Sequence, residues 1–161
     1  GAAYVAYYAT LFVGDIHTSL SSCSRDRDQL FSQTQSIENE FNGLSLLPGQ
    51  SGSKADVSQI RGDCIDSLPM LMSSREFTVE TSAGITFDNA SKALQESGFT
   101  AEKDDYPILN PCSYEDKRYY FVKQDIRIGI ALTCASYGAM GDDWKQVPVT
   151  NLRAYLIAST S

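Results

Sequence analysis

Histidine is nearly absent from this chain: His17 is the only one. Most protein metal centres and most nucleophilic hydrolases draw on histidine, so both are left with little to build on. The cysteines show no C-x-x-C spacing, and a zinc site would need all four of them or help from carboxylates. There is no G-x-G-x-x-G, no P-loop, no H-E-x-x-H and no G-x-S-x-G. Neither a cofactor nor a metal is expected. Basic residues are also in deficit, thirteen against twenty acidic ones for a net charge of -7. That weighs against a nucleic-acid backbone or an anionic lipid surface as the main partner, since each needs a basic patch to displace counterions. Long apolar runs are missing too, and the uncharged opening stretch, residues 1–14, falls short of the twenty or so that span a bilayer.

What is present describes one globular unit. Apolar residues make up 42% of the chain and charged ones 20%, which is globular rather than disordered composition, over a length that suits a single domain. The four cysteines, Cys23, Cys64, Cys112 and Cys134, are scattered singles in even number and read as two disulfides; the alternative is four reduced, buried thiols acting as small hydrophobes. Disulfides imply an oxidising compartment outside the cytoplasm.

The opening third carries the clearest periodicity. Ile16, Leu20, Cys23, Arg27, Leu30, Thr34, Ile37, Phe41 and Leu44 alternate in steps of four and three, and the same steps run back through Val13, Ala9, Ala6 and Ala2. From position 24 the intervening residues are mostly polar. One helix of roughly forty residues is expected, stopped by Gly43 and Pro48. Residues 1–14 are apolar or aromatic on every side, and Tyr4, Tyr7 and Tyr8 suit a lipid–water boundary. Two alternatives follow: the outer end of an N-terminal membrane anchor, preceding a globular domain over 15–161, or a fully buried core helix. The segment has no basic n-region and no A-x-A site, so it is not an intact signal peptide.

Residues 45–58 form a Ser/Gly loop, followed by an irregular stretch carrying Cys64. Residues 75–81 alternate as a strand around Phe77 and Val79. A short helix is expected over 86–97 with Thr86 as N-cap, Gly98 as the C-terminal glycine and Phe99 folding back over the end. Residues 117–134 form a hairpin turning near Lys123–Asp125. A turn at Lys123–Gln124 sets Phe121 against Ile126 and Tyr119 against Ile128 and brings Ser113 opposite Cys134. One bulge near Pro111–Asp116 then puts Cys112 within reach of Cys134, and by elimination Cys23 pairs with Cys64. Residues 135–151 are a loop holding Trp144, and 152–158 a last strand. The expected fold class is α+β: a long N-terminal helix packed on an antiparallel β-sheet, with one further short helix.

Several fragments resemble catalytic or binding motifs, and each has a plainer account. Ser51 and Lys54 make an S-x-x-K in a flexible loop, without the S-D-N or K-T-G that accompany it in penicillin-binding enzymes. Asp15, His17 and Ser19 stand two apart on a helix and point different ways. Asp104–Asp105, Glu115–Asp116 and Asp142–Asp143 are adjacent carboxylates without calcium-loop spacing; the Gly141–Trp144 stretch is the one that suits a weak calcium site. Arg61–Asp63 is an R-G-D beside Cys64, and Asn89–Ser91 is a glycosylation sequon inside the expected short helix.

No residue is therefore assigned a catalytic role. The expected function is a non-catalytic, membrane-tethered extracytoplasmic module at a cell surface, with a protein partner or self-assembly, membrane contact through its N-terminal helix and no nucleic acid. The layout resembles that of a type IV pilin or pseudopilin: a long helix, apolar first and amphipathic after, then a loop, an antiparallel sheet and a disulfide near the C-terminus. That resemblance implies a filament subunit; position 5, a glutamate in mature pilins, is Val5 here. A small hydrolase is the remaining alternative, and it would need a cleft uniting Tyr137, Asp142, Asp143 and Trp144. A cytosolic helical interaction protein would need reduced cysteines and a partner helix over residues 1–14.

Overall fold

A computed structural model describes residues 2–50, 52–53, 58–102, 110–112, 117–136 and 141–159, with side chains from Ser22 onward except at positions 141 and 142. Helix α1 runs Ala2–Asn42. The rest of the expected seam holds where side chains are described: Cys23, Leu30 and Phe41 are buried, Thr34 and Ile37 half-buried, and Leu44 closes the row just past the helix end. Arg27, on the same seam, lies exposed. Among the described residues no helix is long and apolar enough to cross a membrane.

Six antiparallel strands follow: β1 Gln59–Arg61, β2 Met70–Thr78, β3 Thr100–Ala101, β4 Tyr119–Lys123, β5 Ile126–Cys134 and β6 Val149–Ala158. They form one sheet in the order β1-β2-β6-β5-β4-β3. The fold is the expected α+β class, with α1 and a second helix, α2 (Ala83–Glu96), on the sheet. Strand alternation decides which face they cover. Leu71 and Phe77 of β2, Phe121 of β4, Ile128, Ile130 and Leu132 of β5, and Leu152, Ala154 and Leu156 of β6 are buried. Phe41 and Leu44 beside α1's end and Ala90 and Leu94 of α2 belong to the same core. Both helices therefore lie on one face, and the other face carries the alternate residues.

Several elements differ from the sequence expectation. Helix α2 begins one turn earlier, behind Ser82, and Thr86 sits inside it with its hydroxyl donating to the Ser82 carbonyl at 2.8 Å. Threonine back-bonds within a helix as readily as it caps one, and the pattern does not separate the two. The C-terminal end is as expected: Gly98 takes φ +93°, its N–H donates to the Gln95 carbonyl, and Phe99 donates to that of Leu94, the Schellman arrangement. The hairpin turns at Gln124–Asp125, pairing Phe121 with Ile128 and Tyr119 with Ile130. The expected faces are right and the register is two residues off, because a shift of two leaves every side chain on its own face. The bulge expected near Pro111–Asp116 lies mostly outside the described residues; a separate irregularity falls in the pairing of β5 with β6, where Thr133 opposes Asn151 and Cys134 opposes Val149. Strand β2 starts at Met70, β6 at Val149, and the expected loop around Trp144 contains a 3-10 helix, Gly141–Gln146, that buries the indole in the core.

Two disulfides hold the elements together: Cys23–Cys64 ties α1 to the loop between β1 and β2, and Cys112–Cys134 ties the chain before β4 to the end of β5. They point to an oxidising, extracytoplasmic compartment. A third tie is a buried arginine. Arg75 occupies a core position of β2, in phase with Phe77, and is 3% exposed. Its Nη1 donates to the carbonyls of Phe41 (2.7 Å) and Leu44 (3.0 Å), and its Nε to that of Ser53 (3.0 Å). Phe41 stands in the last turn of α1 and Leu44 just past it, where carbonyls lack intrahelical donors and the helix dipole is negative; the Phe41 carbonyl also accepts the Leu44 N–H at 3.2 Å, and Ser53 belongs to the loop beyond. Burial pulls the guanidinium below the ordinary arginine value, and the three carbonyls keep it paired.

Candidate functional site

The end of β4 is where the fold leaves room. Strand β3 is only two residues long and pairs with β4 at Phe121 and Val122, so the first half of β4 runs past it. Helix α2 lies alongside. Its residues Phe87, Asp88, Ser91, Lys92 and Gln95 recur at helical spacing and face one side. Between this stripe, the end of β3 and residues 118–121 opens a cleft of about 720 Å³, within the range of small-molecule pockets.

Its walls are aromatic and its mouth is charged. Phe87 meets Tyr119 edge-on at 5.4 Å and Trp144 edge-on at 6.2 Å, which connects the cleft wall to the core tryptophan. Arg127 holds Glu102 at 2.8 Å through Nη2 and 3.1 Å through Nε. Lys92 lies 4.0 Å from Glu96, a distance at which an exposed pair contributes little. Arg118 makes no ion pair among the described residues; its guanidinium is stacked 3.6 Å over the Tyr155 ring. Among the described residues the buried Ser91 hydroxyl has no hydrogen-bond partner. Apolar walls beside cationic side chains are suited to a ligand that combines an apolar body with a carboxylate.

Arg118 and Arg127 also belong to the uncovered face of the sheet. Across it Tyr120, Gly129 and Tyr155 lie in one row. Gly129 is required there, since a Cβ would stand 2.8 Å from the Tyr120 ring. Arg127 stacks on Tyr120 at 4.2 Å, and Arg153 reaches Tyr155 from the other side at 6.0 Å while pairing with Glu76. A chain with net charge -7 thus gathers three arginines on one face.

The residues singled out from sequence fall elsewhere. Asp143 is exposed and Trp144 buried, so those two share no cleft; Tyr137 and the side chain of Asp142 lie outside the described residues. So do Ser51, Lys54, Asp104, Asp105, Glu115 and Asp116, and the side chains of Asp15, His17 and Ser19. Among the described residues no three His, Cys, Asp or Glu side chains gather as a metal-ligand set. In the R-G-D stretch, Asp63 Oδ1 accepts from the N–H groups of Asp66 (3.0 Å) and Ile65 (2.9 Å), and these bonds hold its carboxyl below the usual aspartate value. Asn89 and Ser91 lie within α2. The cleft residues carried little signal in sequence: Arg127 reads as the wet side of a strand and Ser91 as part of a sequon, and only the crossing of α2 over β4 brings them together.

No protein-family model matches the chain, and no curated protein or solved structure matches it.

Proposed function

We propose that this chain is a non-catalytic, extracytoplasmic binding or assembly module, held at a membrane surface through its N-terminal helix, with the cleft between α2 and β4 as its binding surface. The cleft carries this reading. It combines aromatic walls with cationic side chains and supports recognition of a group that is part apolar and part acidic. Two disulfides support the compartment. At 1.5 Å per residue α1 is about 60 Å long, whereas the ten residues of β6 extend about 33 Å, so the helix outreaches the sheet and is suited to act as a stalk.

Phe87 links the cleft to Trp144, so indole emission reports occupancy. N-acetyl-leucine, an isobutyl group beside a carboxylate, is a minimal probe. A saturable change in Trp144 emission in the millimolar range, abolished by Arg118→Glu, is expected. Emission that does not saturate, or that responds equally in Arg118→Glu, would remove the cleft as a binding surface. The tether is tested by flotation of the chain with phosphatidylcholine vesicles, where Tyr4, Tyr7 and Tyr8→Ser together should leave it in the soluble fraction. The second reading, a pilin-like subunit, is favoured by the single 41-residue helix whose C-terminal half packs on an antiparallel sheet. A preparation carrying a complete pilin-length apolar helix that stays monomeric would exclude it.

A further inference from the structure

The loop 62–69 between β1 and β2 carries two aliphatic side chains turned outward, Ile65 and Leu68, 77% and 72% exposed. The loop is nonetheless fixed. Cys64 is bonded to Cys23 of α1, and its N–H donates to the Ser67 carbonyl. Asp63 closes the turn through the two bonds given above. Gly62 takes φ +113°, and a Cβ there would lie 2.3 Å from the Leu68 carbonyl oxygen. The apolar tip is therefore preformed, and little ordering entropy opposes its docking.

Two ties fix where that tip lies along α1, which rests against β1 and β2. The Phe41 carbonyl is held by Arg75 in the second half of β2, and Cys23 is bonded to Cys64 ahead of β2. From Cys23 to Phe41 is about 27 Å of helix, so α1 runs along β2 in the same direction. The residues before Cys23 thus leave the sheet beside the loop 62–69. The uncharged stretch of α1 ends at Gly14, about 14 Å further along the helix. A headgroup layer takes up about 6 Å of that distance. A helix tilt of about 20°, with the loop on the lower side, takes up a further part. Ile65 and Leu68 therefore face the level at which the apolar end of α1 would meet lipid. The ionised carboxylates of Asp63 and Asp66 and the net charge of -7 disfavour an anionic surface, which leaves a zwitterionic one.

We propose that the loop 62–69 is a second membrane contact, with Ile65 and Leu68 seated at the headgroup–acyl boundary of a zwitterionic bilayer beside the point where α1 enters it. This rests on α1 being the membrane tether, as proposed above. A helix alone lets the domain swing about one point of attachment. With the tip also seated, and joined to α1 by the disulfide, the domain keeps one orientation and holds its binding cleft at a fixed height above the surface. Asp63 and Asp66 stay among the headgroups and limit the depth to the two aliphatic side chains.

Titration of the full disulfide-bonded chain with phosphatidylcholine vesicles tests it. Ile65→Ser/Leu68→Ser should partition at least tenfold more weakly than wild type, the effect of returning two half-buried aliphatic side chains to water. Leu68→Trp supplies a second readout. Trp144 is buried in the core, so wild type is the blank, and phosphatidylcholine brominated on its acyl chains should quench only the added indole. Both positions lie outside the core, and unchanged circular dichroism checks the fold of each variant. If wild type binds and the double serine variant binds equally, or the added indole is not quenched, the loop contact is overturned and the tether stands. A wild type that stays unbound at every lipid concentration overturns the tether and the loop contact with it.

Discussion

At the scale of single residues, Arg75 shows how a polar group earns a core position. Its neighbours in phase on β2 are Leu71 and Phe77, and the rings of Phe77 and Phe41 lie 4.9 and 5.7 Å from its guanidinium. Removing it would leave the carbonyls of Phe41, Leu44 and Ser53 without the donor that now joins them to the sheet; that of Phe41 keeps the Leu44 N–H, and each acceptor left unsatisfied in the core costs about 1–3 kcal/mol. Some of that is offset because a buried charge is also removed. Arg75→Met should therefore lower stability by about 2–4 kcal/mol, read from the urea midpoint at unchanged slope. Arg75→Lys should recover only part, since a single ammonium on a flexible stem cannot reproduce the fork that spans α1's end and Ser53. A loss below about 0.5 kcal/mol for Met would mean the helix end is held by packing alone.

At the scale of elements, the two cross-links close loops of different length in different surroundings. Cys23 and Cys64 are 41 residues apart and Cys112 and Cys134 are 22 apart. Loop-closure entropy alone makes the first worth about 4 kcal/mol and the second about 3.5 kcal/mol. Burial reverses that order. Cys112 and Cys134 are both buried in the core that includes Phe121 and Trp144, whereas of the other pair Cys23 is buried and Cys64 only half-buried. Replacing the core pair with alanine leaves a cavity costing about 1–2 kcal/mol more. Cys112→Ala/Cys134→Ala should thus be the more destabilising double variant, by about 1 kcal/mol in urea unfolding. Greater loss on removing Cys23–Cys64 would show that the anchored loop 62–69 contributes to global stability and not only to its own geometry. These elements also mark how far the sequence was legible. Period-two alternation in Ile126, Ile128, Ile130, Leu132 and Cys134 identified a strand and its inner face. It left the hairpin register open, because Phe121 against Ile126 and against Ile128 satisfy it equally. Arg75 was hidden for a related reason: a charged residue at an inward position reads as the polar half of the pattern. The cleft was the least legible, since its aromatic wall and its guanidinium come from segments that only tertiary packing joins.

For the whole molecule, the balance between net charge and local charge decides how copies meet. Each chain carries -7, so two copies of an assembling module repel as bodies whatever patches they join. A domain of this size has a centre-to-centre contact distance of about 40 Å. Coulomb's law in water then gives about 5 kcal/mol of repulsion between the two net charges without salt. With a Debye length of 30 Å at 0.01 M the repulsion falls to about 1 kcal/mol, and at 0.15 M, with a length of 8 Å, it is negligible. Close-range ion pairs across a contact are each worth about 0.2–1 kcal/mol and lose less on the same change. Repulsion is therefore the term that salt removes first. Self-association should tighten about fivefold between 10 mM and 150 mM sodium chloride, measured by sedimentation equilibrium, and then level off, as 1 kcal/mol corresponds to about that factor. Steady weakening over the same range would mean that ion pairs dominate the contact between copies. Salt-independent association would instead mean that neither repulsion nor ion pairs govern it and that apolar burial alone does.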